Sequence, residues 1–310
     1  MEEHVPVLYQ EVLDLLRPTS RGRYVDGTVG AGGHSAGILA ASAPDGQVLA
    51  IDRDAEALRF ARERLAPYGE RVDFVQGSYA DMALIARMHD FVPVDGVLLD
   101  LGLSSRQLAD AERGFSFMTE GPLDMRFDQT AGRTAADLIN NLSERALADI
   151  LRRYGEVRQN RKLARAIVHE RPFETTVELA NLIEEQIGRR RRIHPATQVF
   201  QALRIAVNDE LRTIEEGLKA AVEILRPGGR MAVISFHSLE DRIVKHFIRE
   251  EEADCICPPS QPLCTCDKEQ RLQRVNRKII RPDEAEVEAN PRSRSARLRV
   301  AEKVETGDAG

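Results

Sequence analysis

The feature that most restricts the fold of this chain is an alternation running through its first hundred residues. Arg23–Thr28 reads as a strand, followed by a glycine-rich turn and a helix from about Gly33 to Ala43. Gln47–Ile51 is a second strand that runs into Asp52, and Ala55–Leu65 is a helix with Leu58, Ala61 and Leu65 on one face. Val72–Val75 is a third strand, Met82–Met88 a helix, and Val94–Asp100 a fourth strand with the unbroken apolar core Val97-Leu98-Leu99. A strand that is apolar at successive positions is buried on both faces. Such strands alternating with helices predict a parallel sheet covered on both sides.

The alternation then stops. No strand is predicted between about Gln107 and Asn208, where helical spacing covers Thr134–Tyr154, Asn160–Val168, Thr176–Gly188 and Pro195–Asn208. Pro195 suits a first helical turn, and Leu203, Ala206, Val207 and Leu211 form an apolar stripe on the last helix. Strand character returns at Arg230–Phe236 after the breaker Arg226-Pro-Gly-Gly229. A helix over Leu239–Glu250 and strands at Lys278–Arg281 and Ala296–Val304 follow. The expectation is an α/β doubly wound sheet built from residues 1–106 and 209–310, with an all-helical domain, 107–208, inserted after strand four. A pair of antiparallel strands would close the sheet.

With 310 residues and 42% hydrophobic content, a sizeable core is within reach. No run of eighteen apolar residues occurs, so no membrane span is expected. Met1-Glu2-Glu3-His4 lacks the layout of a secretory signal, and the expected location is the cytoplasm. The net charge of −6 argues weakly against nucleic acid, but Arg145–His194 holds 12 Lys/Arg against 7 Asp/Glu, and Lys268–Arg299 holds 10 against 5. These stretches are either solvated helix faces or a local phosphate-binding surface. The sequence does not fix an oligomeric state and leaves a homo-oligomer open.

The turn after strand one, Asp26-Gly-Thr-Val-Gly30-Ala-Gly32-Gly33-His34, has the composition a ligand needs. Glycine supplies positive φ, a bare backbone lets a ligand approach, and the next helix presents free N–H groups and a positive dipole end. Nicotinamide and flavin proteins use similar turns, although the strict G-x-G-x-x-G spacing fails here at Ser35. Asp52, 22 residues after Gly30, suits the two hydroxyls of a ribose; the competing reading is a helix cap, a role Asp54 could fill instead. Tyr79, in Gly77-Ser-Tyr79 after strand three, either lines an adenine pocket or starts a helix. No P-loop is present.

Chemistry in open α/β sheets sits at the carboxyl ends of strands. Strand four ends in Asp100-Leu-Gly-Leu-Ser-Ser105, and strand five in Ser235-Phe-His237-Ser-Leu-Glu-Asp-Arg242. An acidic group or carbonyl that holds the protons of an exocyclic amine frees its lone pair for in-line attack on a methyl sulfonium, so Asp100 is a candidate catalytic residue. His237 is a second candidate, as a base contact or proton acceptor; each has a structural alternative, as a loop cap and a strand-end histidine respectively. A cytosine C5 mechanism, which needs a cysteine nucleophile, is disfavoured because no cysteine lies in the strand-four loop.

At this point a resemblance covers nearly the whole chain. His4-Val-Pro-Val-Leu, Asp26–Ser35, Ala50-Ile-Asp-Arg-Asp54, Leu98–Gln107, Glu112–Met118, Gly121–Arg126, Gln201–Asn208, Ser235–Arg242 and Asn290–Ser295 occur in the order found in another group of proteins. The sequence resembles the bacterial small-subunit ribosomal RNA (cytosine-N4)-methyltransferases, the RsmH (MraW) family. The resemblance implies a class I methyltransferase (Rossmann-like) fold with an inserted helical domain. It also implies S-adenosyl-L-methionine as methyl donor and a cytidine in the decoding region of small-subunit (16S) ribosomal RNA, free or in the 30S subunit, as acceptor. Family positions carried onto this chain make Gly32, Gly33, His34, Asp52, Tyr79, Asp100 and Gln107 the expected cofactor contacts. An Asp-Pro-Pro-Tyr loop is absent, and Asp100-Leu-Gly-Leu stands in its place. With RNA as partner, Arg189–Arg192 in the inserted domain and Arg292, Arg294, Arg297 and Arg299 are expected to meet phosphates.

All four cysteines lie in Cys255-Ile-Cys257 and Cys264-Thr-Cys266, within loop 255–266. Four thiols suit zinc, but the usual C-x2–4-C spacing is not met and cytoplasm disfavours disulfides, so no metal is assigned from sequence. Two other functions share some of these features. A nucleotide-dependent oxidoreductase would explain the glycine turn and Asp52 but not the strand-four loop; a non-catalytic ribosome-binding protein would keep the fold without the activity.

Overall fold

The computed structural model describes residues 6–188, 194–257, 265–266 and 268–305. The chain divides into two units, one formed by residues 1–102 and 211–310 and the other by 103–210. The division falls at Gly102/Leu103 and Glu210/Leu211 rather than at 106/107 and 208/209.

In the first unit the chain runs α1 (Tyr9–Leu16), β1 (Arg23–Asp26), α2 (Gly33–Ala41), β2 (Gln47–Asp52), α3 (Ala55–Leu65), β3 (Val72–Gln76), α4 (Met82–Met88) and β4 (Val94–Asp100). It then passes through the second unit as α5 (Ser105–Ala109), α6 (Ala135–Asn141), α7 (Glu144–Gly155), α8 (Asn160–Glu170), α9 (Thr176–Ile187) and α10 (Pro195–Asn208). It returns as α11 (Glu210–Ile224), whose first residue still belongs to the second unit, β5 (Leu225–Ser235), α12 (Ser238–Glu252), β6 (Leu272–Arg274), α13 (Glu284–Ala289) and β7 (Arg297–Lys303).

The sheet order is β3-β2-β1-β4-β5-β7-β6. The first five strands are parallel, and β7 lies antiparallel to both β5 and β6. This is the doubly wound α/β sheet the alternation predicts, and its side-chain alternation explains the apolar runs. Val25, Leu49, Ile51, Val97, Leu99 and Val233 face one core with α4, α11 and α12. Tyr24, Val48, Ala50, Leu98, Ala232 and Ile234 face the opposite core with α1, α2 and α3. The central strands β1, β2 and β4 are therefore buried on both sides along their apolar runs, which end in Asp26, Asp52 and Asp100.

Among its described residues the second unit has helices as its regular elements and one isolated bridge, between Pro122 and Thr175. Its core is drawn from α6 to α10, with Leu147, Leu151, Leu163, Leu179, Ile183 and Leu203 fully enclosed. The continuous helix expected over Thr134–Tyr154 is two helices. Ser143 caps α7, its hydroxyl accepting from Ala146 N–H at 3.3 Å, so the chain turns at Leu142–Ser143 instead of running on. Likewise α10 ends at Asn208 because Asp209 takes a left-handed conformation, φ 50°, which moves Leu211 onto α11.

The strand expected at Lys278–Arg281 is reduced to a single bridge, Ile280 to Leu298. The edge of the sheet is instead β6, three residues long, which carried too few apolar positions to register as a strand. Among the described residues no helix is long and apolar enough to cross a membrane.

Candidate active site

The carboxyl ends of β1, β2 and β4 converge on the glycine turn. Asp26, the last residue of β1, is 1% exposed and shapes that turn. It accepts the Ser35 hydroxyl at 2.6 Å and the Thr28 N–H at 3.2 Å, tying the strand end to the first turn of α2. Burial pushes its carboxyl above the usual carboxylate range, against the Ser35 hydrogen bond and the His34 and Thr28 contacts.

Within the turn the glycines divide by role. A Cβ at Gly27 would stand 2.6 Å from Leu99 and 2.8 Å from Tyr79, so this position lets the β3 and β4 ends close on the turn. Gly30 and Gly32 adopt φ of +52° and +79°, a region costly for any residue with a Cβ. A Cβ at Gly30 would meet nothing closer than the Thr28 carbonyl at 3.9 Å, so its backbone is open to approach. At Gly33 a Cβ would collide with Pro6 at 2.5 Å, so the N-terminal segment packs over the start of α2. Gly32 is the N-cap of α2 and offers no side-chain acceptor, and the positive end of the helix dipole lies at this turn.

Asp52 closes β2. Its two carboxylate oxygens accept the N–H of Gly30 at 2.9 Å and of Asp54 at 3.0 Å. Burial pushes its pKa to about 6, the N–H donors of Asp54 and Gly30 oppose this, and the charges of Asp54 and Asp26 add to the push. The competing reading of Asp52 as a helix cap is resolved by Asp54, whose carboxylate accepts from Glu56 N–H and caps α3. Each Asp52 oxygen keeps a second lone pair for a ligand hydroxyl.

His34, in the first turn of α2, is 6% exposed. Its Nε2 lies 3.0 Å from the Val7 carbonyl, so that nitrogen carries the proton, and Nδ1 lies 3.8 Å from Asp100 Oδ2. The ring also stacks on Tyr9, with centroids 6.3 Å apart. The His34 side chain thus ties the N-terminal segment, through the Val7 carbonyl, to the neighbourhood of Asp100.

Asp100 ends β4 beside this group. Its N–H donates to the Thr28 hydroxyl at 2.6 Å, locking the β1 turn to the β4 loop. Thr28 was not singled out from sequence, although it lies inside the turn motif; only the fold reveals that its hydroxyl reaches across 72 residues of chain. The Leu101 N–H is taken by the Ile234 carbonyl at 2.9 Å, which fixes the loop against β5. Gly102 is required there, since a Cβ would stand 2.5 Å from the Phe236 ring.

Tyr79 follows β3 in a short 3-10 turn capped by Ser78. Its ring packs against Gly217 of α11, where a Cβ would lie 2.4 Å away. Gln107 belongs to the helical unit. There it forms a capping box at the start of α5, its Oε1 accepting Ser104 N–H at 3.0 Å and its own N–H donating to Ser104 Oγ at 3.1 Å.

His237 is likewise an N-cap. Its Nδ1 accepts from Glu240 N–H at 3.4 Å, and its Nε2 lies 3.0 Å from Glu240 Oε1. The Glu240 carboxylate, 1% exposed, reaches back to the N–H groups of Phe236 at 2.7 Å and His237 at 3.1 Å. Sequence reading missed Glu240, though a His followed three residues later by Glu at a helix start carries the capping-box pattern.

The basic residues separate in the same way. Arg299 pairs with Asp241 at 2.8 and 3.3 Å, and Arg297 reaches the same carboxylate at 3.5 Å. These two side chains are committed within the fold, contrary to the expectation that they meet phosphates; neighbouring strand residues on one face find an acid on α12 before they find solvent. Arg292 and Arg294 are exposed on the 3-10 turn Pro291–Ser295. Arg189–Arg192 lie outside the described residues.

The carboxyl ends of β1, β2 and β4 thus gather the start of α2, which has no side-chain cap, the Asp52 carboxylate and Asp100. A family model described as the MraW methylase family matches residues 1–304. Among curated relatives, a protein of Thermomicrobium roseum named ribosomal RNA small subunit methyltransferase H is 54% identical, the match covering 97% of this chain and 94% of that one. Proteins of the same name from Citrifermentans bemidjiense and Syntrophotalea carbinolica are 52% and 51% identical, each match covering 97% of this chain and 98% of theirs.

Proposed function

The chain belongs to the MraW methylase family, and from that premise we propose that it transfers a methyl group from S-adenosylmethionine to the exocyclic N4 of a cytidine in the decoding region of small-subunit (16S) ribosomal RNA. The observation that carries this reading is the convergence of the α2 start, Asp52 and Asp100 at three adjacent strand ends. The names of the relatives support the small ribosomal subunit as the source of the RNA.

S-adenosylmethionine, when bound, supplies an electrophilic methyl on a sulfonium. Asp52 accepts the ribose hydroxyls on its remaining lone pairs, and the backbone of Gly32, Gly33 and His34 receives the acidic amino-acid end at the positive end of α2. Tyr79, and Gln107 in the helical unit, complete the set that the family resemblance implies. Asp100 contacts the cofactor first. Its carboxylate and the Leu101 carbonyl then hold the protons of the incoming amine, so that the N4 lone pair leaves conjugation with the ring and points along the line of attack. The proton released after transfer passes to Asp100 or to water. His237, fixed as the α12 cap, acts by holding the β5 end at the site rather than as a base.

RNA is bound in part through exposed cations, Arg292 and Arg294 among them, which neutralise phosphates. The protein works in the cytoplasm, where its substrate is made. Nucleoside mass spectrometry of small-subunit RNA from a deletion strain tests the assignment: loss of N4-methylcytidine from the decoding region is expected, and full retention would refute the substrate.

A further inference from the structure

The loop between α12 and β6 contains a set of thiols that the methyl-transfer site does not use. Cys255, Cys257 and Cys266 bring their three Sγ atoms within 4.8 Å of one another. Cys255 and Cys266, eleven residues apart, have sulfurs 3.7 Å apart. That is too long for a disulfide, whose bond is about 2.05 Å. It is the distance between two ligands of one tetrahedral zinc ion, because Zn–S bonds of about 2.3 Å set an S···S edge of about 3.8 Å.

The C-x-C spacing that spoke against a metal in the sequence takes a different meaning here. The two limbs of the loop supply ligands to one site, and the short spacing aims backbone donors at the sulfurs. Cys257 N–H donates to Cys255 Sγ at 3.3 Å, and Ile256 N–H donates to Cys266 Sγ at 3.5 Å. N–H···S bonds of this kind spread the negative charge of thiolates gathered on one cation.

The described part of the loop has no apolar core of its own. No described residue between Ala253 and Gln270 is buried, and Ile256 is 68% exposed. Its base is tied instead by polar contacts. Arg271 N–H donates to the Glu251 carbonyl at 2.9 Å, and the Glu251 carboxylate pairs with Arg271 and, at 3.6 Å, with Lys268. Segments too small to bury an apolar core are commonly held by a metal or cross-link.

We propose that Cys255, Cys257 and Cys266 bind a structural zinc ion that staples the loop joining α12 to the edge strand β6. Soft thiolate ligands select zinc over magnesium or calcium. Cys264 lies outside the described residues and is not counted among the ligands. The ion has no part in methyl transfer.

The test is the metal content of the full-length protein, expressed with added zinc and purified without chelator or a histidine tag. About one zinc per chain is expected. The Cys255→Ser, Cys266→Ser double variant should fall below about a tenth of that, with S-adenosylmethionine affinity unchanged as the check that the sheet unit is folded. Should the double variant fail to fold, exchange of the wild-type protein with cobalt(II) decides the question: a thiolate-to-cobalt charge-transfer band is expected. Absence of that band, wild-type protein without zinc, an intact mass showing a disulfide among these cysteines, or full zinc retention in a folded double variant would each overturn the site.

Discussion

Acidic groups at the strand ends of the sheet unit and acidic groups in the helical unit are perturbed in opposite directions. Asp26 and Asp52 are driven up by burial, and among the described residues neither is ion-paired to a lysine or arginine. In the helical unit Asp124, Asp137, Asp149 and Glu178 are all held low. Arg126 holds Asp124 down against the push of burial; Thr134 backbone and hydroxyl donors do so for Asp137, Arg152 for Asp149, and the Glu174 and Thr175 N–H groups for Glu178. Buried polar groups there are also spent on the fold. Asn208 bonds the Met125 carbonyl and Phe127 N–H, Arg113 the carbonyls of Arg126 and Phe127, and Glu210 the Arg204 guanidinium. Helical acids stabilise their own unit, whereas the strand-end acids are kept costly to ionise until a ligand supplies donors. Carboxyls raised by burial at adjacent strand ends are the perturbation expected of the proposed cofactor site.

The sharpest way to break this contrast is to damage the helical core alone. Leu151→Ala should cost about 2–5 kcal/mol of stability in chemical denaturation, because Leu151 is fully buried in the α7–α10 core. Cofactor affinity measured by calorimetry should stay within about twofold; a parallel loss of affinity would show that the units do not divide the work in this way.

A change at the strand ends should do the reverse. Asp52→Ala removes two charge-assisted hydrogen bonds, each worth about 1.5–3 kcal/mol, and should weaken S-adenosylmethionine binding by about a hundredfold or more. In the wild-type protein the same residue sets a pH dependence. Ribose hydroxyls favour the ionised carboxylate, so affinity should climb as pH rises through about 6 and fall below it. Asp52→Asn should flatten that profile. In the unliganded fold the sign is opposite: the raised pKa contributes stability that is present at low pH and lost as pH rises through about 6.

His237 tests whether a strand-end residue can belong with the structural group. As a cap, its loss in His237→Ala should cost about 1 kcal/mol of stability, and His237→Asn, which keeps an N-cap acceptor, should restore both stability and turnover. Turnover lost equally in both variants, with stability kept, would return the imidazole to the chemistry. The smallest effect is expected from replacing exposed Arg292 and Arg294 with Gln. RNA affinity should fall modestly, and the slope of log affinity against log salt should flatten by about 1–2. An unchanged slope would remove this turn from the RNA-binding surface.

Much of the sheet unit was legible because its central strands are buried on both faces. Val94–Asp100 and Ala55–Leu65 stand where periodicity put them, and Asp52 and Asp100 sit at strand ends as expected. What stayed hidden depends on contacts between distant segments. Thr28 reaching Asp100 and Asp241 claiming Arg297 and Arg299 leave no local pattern that fixes the partner. Edge elements were also obscure. β6 is three residues long, and α13 owes its place to Glu286, which accepts Leu8 N–H at 2.9 Å from the other end of the chain. In the helical unit spacing found the helices, but it ran α6 into α7 because the break at Ser143 is a polar cap inside an apolar stripe.

The central claim is that the strand-end acids serve methyl transfer to a cytosine amine. Incubating the purified protein with small ribosomal subunits from a deletion strain and isotopically labelled S-adenosylmethionine, then digesting the RNA to nucleosides for mass spectrometry, tests it most directly. The account predicts label in N4-methylcytidine from the decoding region, abolished by Asp100→Ala. Label on carbon 5, on ribose, or in no nucleoside at all would contradict it.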